Sequence, residues 1–222
     1  MVKEGYSFGV PPLLFGALAC ALQWWIAGGI ALFVAGFVFY FFRDPERVIP
    51  VTPGAIVSPA DGRVVVVQDE DHAGQPGQRI SIFLAIWNVH VNRAPANGTI
   101  TDLQYRPGKF MAAMLERASL ENEQNVFALQ TDAGSMVFKQ IAGLIARRVV
   151  AWKKAGETVA RGERIGLVRF GSRVDLWLPK EAQVMVQVGD NVKGGSSTLA
   201  LWPAPVASAK SDDALLTAGR RA

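Results

Sequence analysis

The chain has 222 residues, half of them hydrophobic, and a formal net charge of +4. That charge, with no long basic run, excludes nucleic acid as a partner and suits a surface facing anionic lipid. A single cysteine, Cys20, excludes an intramolecular disulfide, and with only two histidines, His72 and His90, a Cys/His zinc site is excluded as well.

No charged residue occurs between Gly5 and Phe42, and residues 13–42 are almost wholly apolar. As one helix this stretch would be roughly 45 Å long, more than the ~30 Å hydrocarbon core of a bilayer. Split at Gly28-Gly29, each half would be short for a span. The expectation is one tilted helix or a tight hairpin dipping into the membrane. A cleavable signal is disfavoured by the length of the run and the lack of a small-residue site after it. Trp24 and Trp25, in mid-segment, fit an interface if the segment is a hairpin. Arg43 and Arg47 against Lys3 do not fix its orientation. Residues 1–47 are therefore read as a membrane anchor, ended by Asp44-Pro45-Glu46-Arg47.

From Ile56 onward the patterns are short and β-like. Residues 64–68 form a β-branched run after the turn Ser58-Pro59-Ala60-Asp61-Gly62. Residues 69–78 are polar, with Gly and Pro, and read as a loop holding His72 as a solvated side chain. Residues 79–91, carrying Trp87 and His90, read as a long strand or a strand pair, and 98–105 as another strand. Phe110, Met111, Met114, Leu115 and Ala118 recur at helical spacing and predict a helix over 110–119. Its apolar stripe is either core or a greasy lip for membrane and acyl chains. Strands follow at 127–130, 136–141, 148–152, 165–168 and 174–178.

The octets beginning at Gly156 and Gly189 share the spacing Gly-acid-x-Val-x-basic/Gly-Gly-x. Paired turns of this kind occur in lipoyl-type barrel sandwiches, where hairpins pack two small sheets. The expected architecture is mainly β with a few helices (α+β). A barrel-sandwich-like domain over 48–203 follows the anchor, and 204–222 form a tail rich in Ala, Ser and charge that reads as disordered.

Two glycine-serine sites are candidates for chemistry. Gly171-Ser172 sits between two strand-like runs, and a strained joint there would bring the serine hydroxyl to the Gly171 carbonyl, permitting an N-to-O acyl shift. Gly195-Ser196 aligns with a plain repeat turn, so Ser172 is favoured over Ser196. An ordinary Gly-Ser turn remains an alternative. An acid in a turn (Asp61), a histidine on an apolar strand (His90) and a glycine-presented serine (Ser172) are the parts of an activated nucleophile. The strand–GxSxG–helix elbow of serine hydrolases is absent.

Several stretches taken together resemble the phosphatidylserine decarboxylases of the short bacterial type: Phe42-Arg43-Asp44-Pro45-Glu46-Arg47, SPADG at 58–62, residues 88–95, Pro107-Gly108-Lys109-Phe110, Asn122-Glu123, IAGLIARR at 141–148 and FGSR at 170–173. The resemblance implies a self-processing enzyme in which Asp61, His90 and Ser172 act together and the chain cuts between Gly171 and Ser172. Ser172 would become a pyruvoyl group at the start of a small chain, 172–222, paired with a large chain, 1–171. Whether such pairs assemble further is left open. The pyruvoyl group would form a Schiff base with phosphatidylserine in the membrane and release carbon dioxide and phosphatidylethanolamine. No metal and no pyridoxal phosphate would be needed, and the catalytic domain would face the cytoplasm at the cell membrane. Long-type members carry a second histidine where this chain has Trp87. Arg93, Lys109, Arg147 and Arg148 are candidates for the lipid phosphate. The alternatives are a decarboxylase of a related phosphoserine lipid, or a membrane-tethered barrel-sandwich adaptor without catalysis.

Overall fold

The computed structural model describes residues 1–72, 74–144, 148–169 and 171–203. The expected tail at 204–222, the candidate Arg147, and Phe170 of the FGSR motif lie outside the described residues.

The apolar N-terminus is a helical hairpin of α1 (Lys3–Ala21) and α2 (Trp25–Phe41). The break falls at Leu22–Trp24, where Gln23 takes a left-handed φ of 62°, and not at Gly28-Gly29. The glycines do a different job. A methyl group at Gly9, Gly16 or Gly28 would overlap Phe39, Leu32 or Cys20 of the facing helix, so these positions let the two backbones touch. The 17 residues of α2 span only ~26 Å. Among the described residues no helix is long and apolar enough to cross a membrane. The single tilted span is thereby corrected to a hairpin. Most of its outward side chains are apolar, with Leu14, Trp25, Ile26, Ile30 and Phe33 all exposed, against Lys3, Ser7 and Gln23.

The rest of the chain forms β1 (Ala55–Val57), β2 (Gly62–Asp69), β3 (Gly77–Leu84), β4 (Val91–Arg93), β5 (Gly98–Arg106), α3 (Ala118–Glu121), β6 (Gln124–Thr131), β7 (Gly134–Ile141) and β8 (Val149–Ala151), then β9 (Thr158–Val159), β10 (Arg164–Val168), β11 (Ser172–Pro179), β12 (Gln183–Val184), β13 (Asn191–Val192) and β14 (Thr198–Leu201). An eight-stranded antiparallel sheet runs β13-β2-β3-β11-β7-β6-β5-β9, and two three-stranded sheets run β1-β14-β12 and β4-β10-β8. The class is mainly β with few helices, as expected.

The repeat is real in conformation. Gly156 and Gly189 open its two copies with φ of 89° and 106°, and Gly162 and Gly195 close them with 79° and 78°. Each copy's acid accepts a hydrogen bond from the amide three residues earlier, Glu157 from Lys154 and Asp190 from Gln187, both at 2.9 Å. The two copies do not pack two small sheets against each other. Their strands β9 and β13 are the two edges of the large sheet. A methyl at Gly195 would lie 3.6 Å from the Gly162 Cα, so the edges meet because the sheet curls on itself.

The curl encloses the main core, built from Ile80, Ile82, Leu84, Phe127, Leu129, Met136, Phe138, Val174, Leu176 and Leu178. Phe127 and Phe138 stack with ring centroids 4.7 Å apart. Burying side chains of this size contributes about 2 kcal/mol each. Strand β11 runs between β3 and β7 and is covered on both faces. By the two-residue period, Ser172 faces inward with Val174 and Leu176, while Arg173, Asp175 and Trp177 face out. Those outward charges are paired, as burial demands: Arg173 meets Asp175 at 2.5 Å and Ser81 at 2.8 Å, and Ser119 donates to Asp175 at 2.5 Å.

The predicted helix over 110–119 is corrected. Only Ala118–Glu121 is helical, and the preceding residues form turns. The Asn122 side chain explains this. It accepts from the Met111 amide at 3.0 Å and donates to the Met111 carbonyl at 2.9 Å, pulling the segment open before a helix can start. Phe110 packs on Ala142, Val149 and Val168, whereas Met114 and Leu115 are 69% and 52% exposed. The helical spacing was real, but a side-chain clamp overrode it.

Candidate active site

Gly171 takes a φ of +60°, which favours glycine, and it delivers the chain into β11. Ser172, the first residue of β11, is fully buried, and its Oγ has no hydrogen-bond partner among the described residues. A buried hydroxyl without a partner costs of order 1–3 kcal/mol, so its presence in a core-facing position calls for an account beyond packing.

His90 carries the second such atom. Its Nδ1 lies 2.9 Å from the Asn88 carbonyl oxygen. A carbonyl only accepts, so Nδ1 holds the proton and Nε2 keeps a free lone pair. That Nε2 is buried and also without a partner among the described residues. Burial lowers the His90 pKa to about 4, helped by the nearby Arg43 charge and opposed by the Asn88 bond. At neutral pH the ring is thus a neutral acceptor in search of a donor. Phe41, at the end of α2, packs on it with ring centroids 4.2 Å apart.

Topology puts the serine and histidine loops on one another. Ser172 pairs with Leu84, the end of β3, across the sheet. The Val168 amide, near the end of β10, bonds the His90 carbonyl at 3.2 Å. The connections 85–90 and 169–171 therefore begin and end side by side.

Asp61 lies elsewhere in the hydrogen-bond pattern. Its carboxylate is gripped by Arg47 at 2.8 and 2.9 Å and accepts from the Gly194 amide at 2.8 Å. No hydrogen bond joins it to His90 or Ser172 among the described residues. Its turn does support the histidine strand, because the Arg93 amide donates to Pro59 at 2.9 Å. Ser196 sits in a turn, its amide donating to Lys193 at 3.0 Å.

Of the cationic candidates, Arg93 is 7% exposed and its guanidinium is taken up by Asp44 at 2.7 Å and by the Gly162 carbonyl at 2.9 Å. Lys109 is exposed and pairs with Glu121 at 2.7 Å. Arg148 is exposed, and its carbonyl accepts from the Arg169 amide at 3.3 Å, two residues before Gly171. Among the described residues no group of three His, Cys, Asp or Glu side chains could hold a metal ion.

Sequence reasoning missed four contributors. Asn88 sets the His90 tautomer and Phe41 roofs the ring. Arg47 and Asp44 tie the end of the hairpin to Asp61 and Arg93. The Asp-Pro-Glu-Arg run was visible as a motif, read as the end of the anchor and as part of the family resemblance, but not as a tie to Asp61 and Arg93.

The chain is similar to proteins of one described family. The family model described as phosphatidylserine decarboxylase matches residues 34–200, which takes in Phe41, Asp61, His90, Gly171 and Ser172. A phosphatidylserine decarboxylase proenzyme of Magnetococcus marinus is 45% identical over 203 residues, covering 88% of this chain and 92% of that one. The protein of the same name from Geotalea uraniireducens is 43% identical, covering 91% and 97%, and that of Solibacter usitatus 48%, covering 87% and 95%. With three-quarters of its length inside the family model, and the buried serine and histidine within that span, this chain belongs to the phosphatidylserine decarboxylase family.

Proposed function

We propose that the chain is a proenzyme that cuts itself between Gly171 and Ser172 and then decarboxylates phosphatidylserine to phosphatidylethanolamine. The observation that carries this is the pair of buried, unpartnered atoms, Ser172 Oγ and His90 Nε2, in adjoining loops of a chain belonging to this family. His90 Nε2 takes the hydroxyl proton as Oγ attacks the Gly171 carbonyl carbon. The C–N bond then breaks, the amine takes the proton back, and the peptide has become an ester. Loss of the Ser172 α-proton breaks the Cβ–O bond and frees the Gly171 carboxylate. The dehydroalanine left at position 172 hydrolyses to a pyruvoyl group and ammonia. The residues fit that group: position 172 is buried, faces inward and has no competing hydrogen-bond partner among the described residues.

Once formed, the pyruvoyl carbonyl supplies the electron sink for decarboxylation. The chain's own residues do the rest. Asn88 and Phe41 hold His90 in one tautomer and one plane. Asp61 acts at a distance, through Arg47 and the Gly194 turn, as a positioning residue for β4. Arg148 and Lys109 are the exposed cations closest to a role with the lipid phosphate, whereas Arg93 works inside the fold. The two chains stay together because β11 remains threaded between β3 and β7, and β13 and β14 remain paired with β2 and β1.

The hairpin of α1 and α2 lies in the lipid interface on the cytoplasmic face as a monotopic anchor. Its apolar exterior and the tip tryptophans, Trp24 and Trp25, at 60% and 68% exposure, support that reading. The test is borohydride reduction in the presence of phosphatidylserine. Lipid should be trapped on the chain beginning at 172; trapping on a lysine of the large chain would overturn the mechanism.

A further inference from the structure

Asn122 and the Ala142-Gly143 pair that follows β7 meet at the Gly171 carbonyl. A methyl group built at Gly143 would lie inside the van der Waals radius of the Gly171 carbonyl oxygen and 2.9 Å from its carbon. In its place Gly143 presents a Cα hydrogen aimed at that oxygen. This is the oxygen that gains negative charge when Ser172 attacks.

The approach is held from the Gly143 side. Asn122, 1% exposed, donates to the Ala142 carbonyl at 2.7 Å, and the Ala142 amide donates to the Glu123 carbonyl at 2.9 Å. On the far side of the loop, Glu123 accepts from the Val149 amide at 3.2 Å. Ala113 packs against the same glycine, 3.4 Å from the methyl position. The Gly171 side is softer. Among the described residues nothing lies within 4 Å of its own Cβ position, and its φ of +60° is one that glycine adopts without strain.

We propose that Gly143, pinned by Asn122, is a positioning residue for self-cleavage: it fixes the direction of the Gly171 carbonyl so that Ser172 Oγ meets the carbon, and its Cα–H contact strengthens as charge builds on the oxygen. This rests on the self-processing reading above. Attack forms the Oγ–C bond, sends the carbonyl electron pair onto the oxygen beside Gly143 and passes the hydroxyl proton to His90. Collapse restores the carbonyl and breaks C–N. An added methyl cannot push the clamped Ala142 side back, so it turns the Gly171 carbonyl away instead.

The experiment follows cutting of the full-length wild type, Gly143→Ala and Asn122→Asp by intact mass, with and without hydroxylamine, which opens esters and spares amides. Both variants should cut about 10²-fold more slowly, as misplacing a reacting group by about 1 Å does, and their uncut chain should resist hydroxylamine because the ester never forms. Folding is checked where no chain can cut: Ser172→Ala and Ser172→Ala/Gly143→Ala should melt within about 4 °C of each other. Cutting at the wild-type rate, a hydroxylamine-labile chain that accumulates, or a double variant that melts far lower would each overturn the proposal. A wild type that itself never cuts would instead bring down the self-processing reading beneath it.

Discussion

Acid should destabilise the precursor through His90 in particular. The free ring takes up a proton near pH 6.5, but burial lowers its folded value to about 4. Between those values the unfolded chain binds a proton that the folded chain refuses, so stability rises with pH across that window. The contribution is complete above pH 6.5 and lost as pH falls toward 4. From 6.5 to about 4, at 1.36 kcal/mol per pH unit, the lost stability is roughly 3 kcal/mol. Carboxylates titrate in the same range, so the comparison must cancel them. In a Ser172→Ala background, which keeps the chain whole, denaturant unfolding is measured at pH 7 and pH 4.5 with His90 and with His90→Gln. The His90 chain should lose about 2–3 kcal/mol more than the Gln chain over that step. Equal losses would mean that the ring is not held neutral in the core, and the assignment of His90 as a ready base would fail with it.

Three further outcomes follow from contacts in the fold. The rate of self-cleavage should be flat from about pH 5 to 8 and fall only below it, because His90 stays unprotonated until about 4; a rate that halves near pH 6.5 would point to a solvated histidine. Deleting residues 1–42 should release the protein from vesicles and also slow cutting, since Phe41 is part of the roof over His90; vesicle sedimentation and a cutting time course read the two effects separately, and wild-type cutting would show the roof to be dispensable. Arg47→Ala leaves the Asp61 carboxylate buried with only the Gly194 amide, so stability should drop by about 3 kcal/mol, a loss that Asp61→Asn in the same chain should partly relieve.

Much of the β framework could be read from alternation and turn residues, because each short apolar run between Gly, Pro and Asp had one way to be buried. The repeat at Gly156 and Gly189 was legible because its glycines carry positive φ, a constraint that leaves a mark on composition. Its placement at the two edges of one curled sheet was not, since strand order depends on contacts far apart in sequence. The helix expected over 110–119 failed because periodicity reports one segment, whereas the Asn122 clamp belongs to another. The break in the apolar hairpin was misplaced for a similar reason: Gly28 faces α1, and only the packed pair reveals that a glycine is there to admit a neighbour. At the site, Ser172, His90 and Asp61 stood out by residue type. That Asp61 binds Arg47 and Gly194, while Asn88 orients His90, shows only in the folded chain, because any buried carbonyl can do the orienting work and carbonyls leave no trace in sequence.

The central claim, that this chain makes its own reactive group from Ser172, is tested most directly by the intact mass of the purified protein beside its Ser172→Ala and Ser196→Ala variants. Wild type and Ser196→Ala should each give two chains, 1–171 ending in a free carboxylate and 172–222 beginning with a pyruvoyl group, and Ser172→Ala should give one unbroken chain. A wild-type protein that remains a single chain, or a Ser172→Ala protein that still yields a pyruvoyl-blocked fragment, would contradict it.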